Sequence, residues 1–158
     1  DLGLCRARRV FAATQLGVWL ERRDAWFDSG ELGAEHAFVV HGADGLDEAT
    51  TTAPTRVSEL KDGTVTTYEV SPGDLGIGTA QAQDLTGGDP ETNADILRSI
   101  LGGEQGARRD ITIVNAAFAL VAGGLADDLK AGATLAAETI DSGAAGKKLD
   151  LLVETSQA

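Results

Sequence analysis

An α/β fold is expected for this chain on three observations. A short β-branched apolar run, Ala37-Phe38-Val39-Val40, leads into a turn rich in glycine and acid, His41-Gly42-Ala43-Asp44-Gly45-Leu46-Asp47-Glu48-Ala49-Thr50. Two strand-like segments flank an Asp-Gly pair, the signature of a tight hairpin. The second half carries helical periodicity punctuated by capping residues and glycines.

Taken in order, residues 1–36 are the least regular part. Thr14-Gln15-Leu16-Gly17-Val18 reads as a strand, and Leu20 to Leu32 is expected to be an amphipathic helix by analogy alone, its apolar spacing being irregular and interrupted by the turn-like Asp28-Ser29-Gly30. The run 37–40 is short and apolar enough for a buried strand, and Gly42 and Gly45 let the chain turn at its C-terminal end. In Arg56-Val57-Ser58-Glu59-Leu60 the residues alternate, placing Val57 and Glu59 on one face and Ser58 and Leu60 on the other. Thr64 to Val70 is rich in strand formers, with Lys61-Asp62-Gly63 as the connection. Ser71-Pro72-Gly73-Asp74 ends the hairpin, Asp74 serving as a turn residue.

Three helices follow, and a fourth, short one is expected over 145–153. Asp89 is placed to cap the first, with Pro90 at its first position, Glu91 in its first turn and Gly102-Gly103 at its end. Ala94, Leu97, Ile100 and Leu101 share its inward face. The second runs from about Ala107 to Ala122. Its stripe of Ile111, Val114, Phe118 and Val121 is widened by Ala116, Ala117 and Leu120, which predicts burial nearly all round. Ile111 to Val114 alone also fits a strand, and length favours the helix. The third covers about Ala126–Ser142, with Leu129, Ala133, Ala136 and Ile140 inward and Gly143 as its stop.

Length and composition bound the function. One domain is the prior for 158 residues, enough to bury about two-thirds of the unfolded surface. With aromatics at 4%, the core is built from Ala, Leu, Val and Ile. The net charge of −12 opposes nucleic-acid binding, which needs basic patches to displace counterions. Five arginines against Asp1 and Glu21 make the first 23 residues basic, and the rest is strongly acidic. A single cysteine, Cys5, excludes an internal disulfide, and with only His36 and His41 besides there is no zinc-type ligand set. No apolar run approaches the 18 or more residues of a transmembrane helix, so a cytoplasmic setting is the default. A chain without methionine that begins at Asp1 reads as part of a longer product.

Asp47 and Glu48 are the residues most suited to chemistry. In open α/β sheets ligands bind outside the carboxyl ends of strands, and a carboxylate pair there suits Mg²⁺, which keeps several waters and takes one or two carboxylates plus substrate phosphates. The competing reading is a solvated polar loop. Thr86-Gly87-Gly88-Asp89 invites a phosphate-loop reading, but Asp84, Asp89 and Glu91 would repel a phosphate and helix capping is favoured. His41 is either a proton carrier or, the favoured reading, a partly buried residue orienting the loop. His36 is expected to be exposed, and Arg108-Arg109 to form a solvated helix start. No nucleophile–base pair, G-x-S-x-G or strand-borne G-x-G-x-x-G is present, and no residue is an obvious general base.

The string HGADGLDEAT (41–50), the T-x-V-x-E-L-x-D-G pattern from Thr55 to Gly63, DLTGGDPETNADILRSILGG (84–103), GARRDITIVNAAFALVAGGLADDLKAG (106–132) and SGAAGKKLDLL near the end together resemble anthranilate phosphoribosyltransferase. The resemblance covers about residues 37–152. It implies the C-terminal part of a nucleoside phosphorylase/phosphoribosyltransferase-type large domain, a mixed sheet with a β-hairpin and packed helices. It also implies one partial domain over residues 1–158, whose helical domain and Gly-Thr-Gly-Gly-Asp pyrophosphate loop lie elsewhere in the family's sequence. The implied reaction transfers a phosphoribosyl group from phosphoribosyl pyrophosphate to anthranilate in tryptophan biosynthesis. Carried over residue by residue, the family's magnesium ligands fall on Asp47 and Glu48. A homodimer is implied for the full-length enzyme, and no nucleic acid or membrane as partner. The contrasting expectation is a non-catalytic remnant kept as a folded interaction domain.

Overall fold

The computed structural model describes residues 12–13 and 35–157. The predicted strand at Thr14–Val18, the helix over Leu20–Leu32 and Cys5 lie outside the described residues. Among the described residues four strands form one mixed sheet in sequence order: β1 (Ala12–Ala13), β2 (His36–Gly42), β3 (Thr55–Lys61) and β4 (Thr64–Val70). β1 runs parallel to β2, and the other two pairings are antiparallel. The β3–β4 hairpin turns on Asp62 (φ 50°) and Gly63 (φ 76°). Positive φ at both central residues is what a type I′ connection demands and what Asp-Gly supplies at least cost.

Four helices follow: α1 (Pro90–Leu101), α2 (Ala107–Ala122), α3 (Leu129–Asp141) and α4 (Ala144–Ser156). The capping prediction for α1 holds, since the Asp89 carboxylate accepts the Thr92 N–H at 2.8 Å. α3 starts at Leu129 rather than Ala126 because Asp128 takes the cap, accepting from Ala131 N at 2.8 Å. Gly143, at φ 72°, ends α3 as expected.

The core lies between one sheet face and the α2–α3 pair. Phe38, Val40, Val57 and Val70 come from the sheet, Val114, Phe118 and Val121 from α2, and Ala133, Ala136 and Ile140 from α3. Phe118 meets Phe38 edge-to-face, ring centroids 5.3 Å apart. α2 and α3 approach closely because Gly132 faces Ala117. A Cβ added at Gly132 would stand 2.9 Å from the Ala117 carbonyl oxygen and 3.1 Å from its Cα. Gly132→Ala is therefore expected to destabilise the fold by roughly 1–3 kcal/mol despite the better helix propensity of alanine, readable as a lower urea midpoint.

Three expectations are corrected. His36 is not exposed: it is the first residue of β2, its ring lies 4.9 Å from that of Phe38, and its Nε2 is 2.7 Å from Glu59 Oε1. Glu59 also accepts from the Tyr68 hydroxyl at 3.0 Å, and burial followed by that bond pushes the Tyr68 hydroxyl above its ordinary pKa. Arg109 is not solvated. It is 4% exposed and grips Asp141 of α3 through both guanidinium nitrogens, at 2.6 and 3.0 Å, which raises the guanidinium's pKa and lowers that of the carboxyl. Leu97 remains 42% exposed although it shares the predicted inward face of α1, because within α1 only Ile100, in the last turn, is fully buried.

Candidate functional site

The segment between β2 and β3 carries Asp47 and Glu48 at the carboxyl end of β2, where the α/β architecture predicts a ligand. Its shape is set from within. The Gly42 N–H donates to the Leu46 carbonyl at 2.9 Å, and the Ala43 N–H to the Pro54 carbonyl at 2.9 Å. Asp44 does most of the ordering: Oδ1 accepts the Leu46 N–H at 3.1 Å, and Oδ2 accepts the hydroxyls of Thr50, at 2.6 Å, and Thr52. The far end is pinned by Thr50 N–H donating to Thr55 Oγ1 at 3.0 Å, and by a pair of bonds between Ala49 and Asn115 of α2.

Burial works against the charge on Asp44, but the Thr50 and Thr52 hydroxyls and the Leu46 N–H together hold its carboxyl below the usual carboxylate range. A depressed folded pKa stabilises the loop fully above the unfolded value of about 4, and that contribution is lost as pH falls through the folded value. Acidification from pH 5 is thus expected to loosen residues 44–52 before the sheet. Carboxyl-carbon NMR should find Asp44 titrating below the ordinary aspartate range, and Asp44→Asn should remove the effect.

Asp47 is exposed and Glu48 half-buried. Among the described residues neither carboxylate has a hydrogen bond or ion-pair partner, in contrast to Asp44. Burial, and then the neighbouring charge of Asp47, raise the Glu48 carboxyl above its ordinary value. Two like charges thus stand side by side, with no cationic side chain paired to them among the described residues. No group of three or more His, Cys, Asp or Glu side chains comes together as a metal cage among the described residues. Two carboxylates without a cage suit Mg²⁺, whose remaining positions go to water and phosphate, and do not suit zinc.

The other expected participants fall into place differently. His41 is partly buried as expected, but it makes no side-chain hydrogen bond among the described residues; Asp44, which the sequence reading passed over, orders the loop instead. The 86–89 turn serves as a helix cap, since the Gly88 N–H is taken by Asn93 Oδ1 at 2.9 Å and so does not face an anion. Arg108 is exposed and donates to the Thr86 carbonyl at 2.6 Å. That turn borders a cleft of about 320 Å³, lined by Leu46, Glu48, Gly87, Ile96, Leu97 and Ile111 among others. A larger cleft of about 630 Å³ lies between α1 and the start of α2. It excludes both loop carboxylates, and the buried guanidinium on its wall is already paired with Asp141.

Residues 28–146 match the model of the family described as "Glycosyl transferase family, a/b domain". The anthranilate phosphoribosyltransferase of Rhodospirillum rubrum is 52% identical over 124 residues, covering 78% of this chain and 36% of that protein. The crystal structure of anthranilate phosphoribosyltransferase from Thermus thermophilus superposes with a TM-score of 0.74 at 35% identity, over 82% of this chain and 38% of that one. A variant of the Saccharomyces cerevisiae enzyme with Mg bound gives 0.70 at 25% identity, over 80% and 38%. The chain thus spans little more than a third of the length of the curated relatives it matches. Among the described residues no helix is long and apolar enough to cross a membrane.

Proposed function

The chain belongs to the glycosyl transferase family, matching the model of its a/b domain over residues 28–146, and we propose that it contributes the magnesium-binding part of an anthranilate phosphoribosyltransferase. The reaction would transfer the phosphoribosyl group of phosphoribosyl pyrophosphate to the amine of anthranilate, releasing pyrophosphate. One observation carries this reading: two adjacent carboxylates, without partners among the described residues, stand on an anchored turn at the carboxyl end of a strand, in a chain half identical over its matched part to enzymes of that name.

Departure of pyrophosphate leaves an electron-poor ribosyl carbon, so stabilising the leaving group is the central task. Asp47 and Glu48 would hold Mg²⁺, which when bound supplies Lewis-acid charge to the pyrophosphate oxygens. The chain's own part is to keep those two carboxylates adjacent and fixed. Asp44 orders the turn, and Ala49, buried in the core, sets its exit. The anthranilate amine is itself a nucleophile, which lessens the need for a general base.

In this reading residues 1–158 are one partial domain, the C-terminal portion of the α/β catalytic domain. The helical domain and pyrophosphate loop come from the remainder of the enzyme, which would work in the cytoplasm as a homodimer. Retention of the carboxylate pair does not favour a non-catalytic remnant. Calorimetric titration with Mg²⁺ and pyrophosphate tests the assignment. The parent chain should bind, and the Asp47→Ala/Glu48→Ala variant should not; equal binding by the two would remove the metal assignment.

A further inference from the structure

The two carboxylates occupy the span between two anchored residues. On one side Leu46 is fixed through both backbone groups, its N–H donating to Asp44 Oδ1 at 3.1 Å and its carbonyl accepting from Gly42 N at 2.9 Å. On the other side Ala49 is fixed the same way by a single side chain. Asn115 Oδ1 accepts the Ala49 N–H at 3.0 Å, and Asn115 Nδ2 donates to the Ala49 carbonyl at 2.8 Å. The second Nδ2 hydrogen goes to the Ile111 carbonyl one turn back, at 3.0 Å. This pattern dictates the orientation of the amide, because Ala49 N–H faces the oxygen and its carbonyl faces the nitrogen. It also occupies both donors, leaving Asn115 nothing to donate to a substrate. A carboxamide that pairs with both groups of one residue acts as a neighbouring strand would, and it holds the peptide next to Glu48 in one plane.

We infer that Asn115 is a positioning residue for the metal site: the clamp from α2 to Ala49 pre-sets the Glu48 and Asp47 carboxylates for one cation, without touching it. The inference rests on the proposed role of those carboxylates. Ala49 is fully buried, so removal of the clamp leaves its N–H and carbonyl unpaired away from water while the hydrophobic contact of its methyl persists. The turn then keeps its place but loses its fixed exit, and the carboxylates must be ordered when the cation arrives. Groups that orient ligands from behind typically change metal affinity by about 10–100-fold when removed.

The test uses the full chain, with Mn²⁺ as a paramagnetic probe in the presence of inorganic pyrophosphate, and circular dichroism to establish folding. Asn115→Ala deletes the clamp. Asn115→Asp keeps its size and the acceptor for Ala49 N–H but turns an oxygen toward the two carbonyls. Ile140→Val, a core truncation on α3, controls for general destabilisation. Both Asn115 variants are expected to bind Mn²⁺ about tenfold more weakly and to exchange the Ala49 amide faster, with Ile140→Val matching the parent in both. Folded Asn115 variants that bind Mn²⁺ as tightly as the parent would overturn the inference while Asp47→Asn/Glu48→Gln still abolishes binding. So would failure of both Asn115 variants to fold, which would make the residue one of stability alone. Unchanged binding in Asp47→Asn/Glu48→Gln removes the carboxylate reading itself, and the inference with it.

Discussion

Replacing Asp47 and Glu48 together by alanine is expected to slow the proposed phosphoribosyl transfer on the order of a thousandfold. The size follows from what the pair does in the proposed reaction. A cation on the pyrophosphate oxygens stabilises charge that develops as the ribosyl bond breaks, which is worth several kcal/mol, and each 1.36 kcal/mol is about tenfold in rate. The isosteric Asp47→Asn/Glu48→Gln variant preserves volume and turn geometry and should lose nearly as much, because charge rather than shape is being removed. Excess Mg²⁺ should recover a single Asp47→Asn variant more fully than the double one. The decisive measurement is steady-state rate against Mg²⁺ concentration. A double variant with the parent's rate and the parent's magnesium dependence would sink the assignment.

Phe118→Ala is expected to cost about 3–5 kcal/mol of folding stability, the usual range for deleting a buried aromatic. Phe118 is 4% exposed and is α2's aromatic contact with the sheet, its ring edge-on to Phe38 of β2. Among the described residues the buried core is, apart from Phe38 and Phe118, alanine, valine, leucine and isoleucine, and few side chains could shift to refill that volume. A loss of this size is a large fraction of the total stability of an ordinary domain, about 5–15 kcal/mol. Phe118→Leu should lose less than half as much. Urea unfolding followed by circular dichroism distinguishes the two, and equal midpoints for Phe118→Ala and the parent would show that α2 is held by other contacts. The effect should reach the Asp47–Glu48 turn, since Asn115 sits one helical turn before Phe118 on the same helix.

Much of this architecture was legible because it is written locally. Asp62-Gly63 announces a hairpin by the only backbone shape that suits it, Asp89 and Pro90 announce a helix start, and the apolar spacing of residues 107–122 gives α2 its observed ends. Asp47 and Glu48 stood out as neighbouring acids in a glycine turn after a strand, and their proposed magnesium role came from the family resemblance. What local pattern withholds is the identity of distant partners. Arg109 looked solvated because Asp141 stands 32 residues away, His36 looked exposed because Glu59 stands 23 away, and Asn115 drew no notice because its partner Ala49 lies 66 residues before it. Asp44 is the exception. Its threonine partners lie within eight residues, and an aspartate followed by Thr50 and Thr52 in a tight turn is a signal that could have been read.

The close approach at Gly132 divides the core into seams of opposite mutational tolerance. Where α2 meets the sheet, the contact is made by large side chains meeting across a gap, so evolution can adjust it by trading one large residue for another and is punished for subtraction. Where α2 meets α3, backbone lies nearly against backbone over Gly132 and Ala117, so nothing remains to subtract and a single added methyl separates the helices. Efforts to harden this protein against heat should therefore leave the α2–α3 seam alone and seek their gains at the exposed Leu97 and along α4, where Leu151, Leu152 and Val153 remain in solvent.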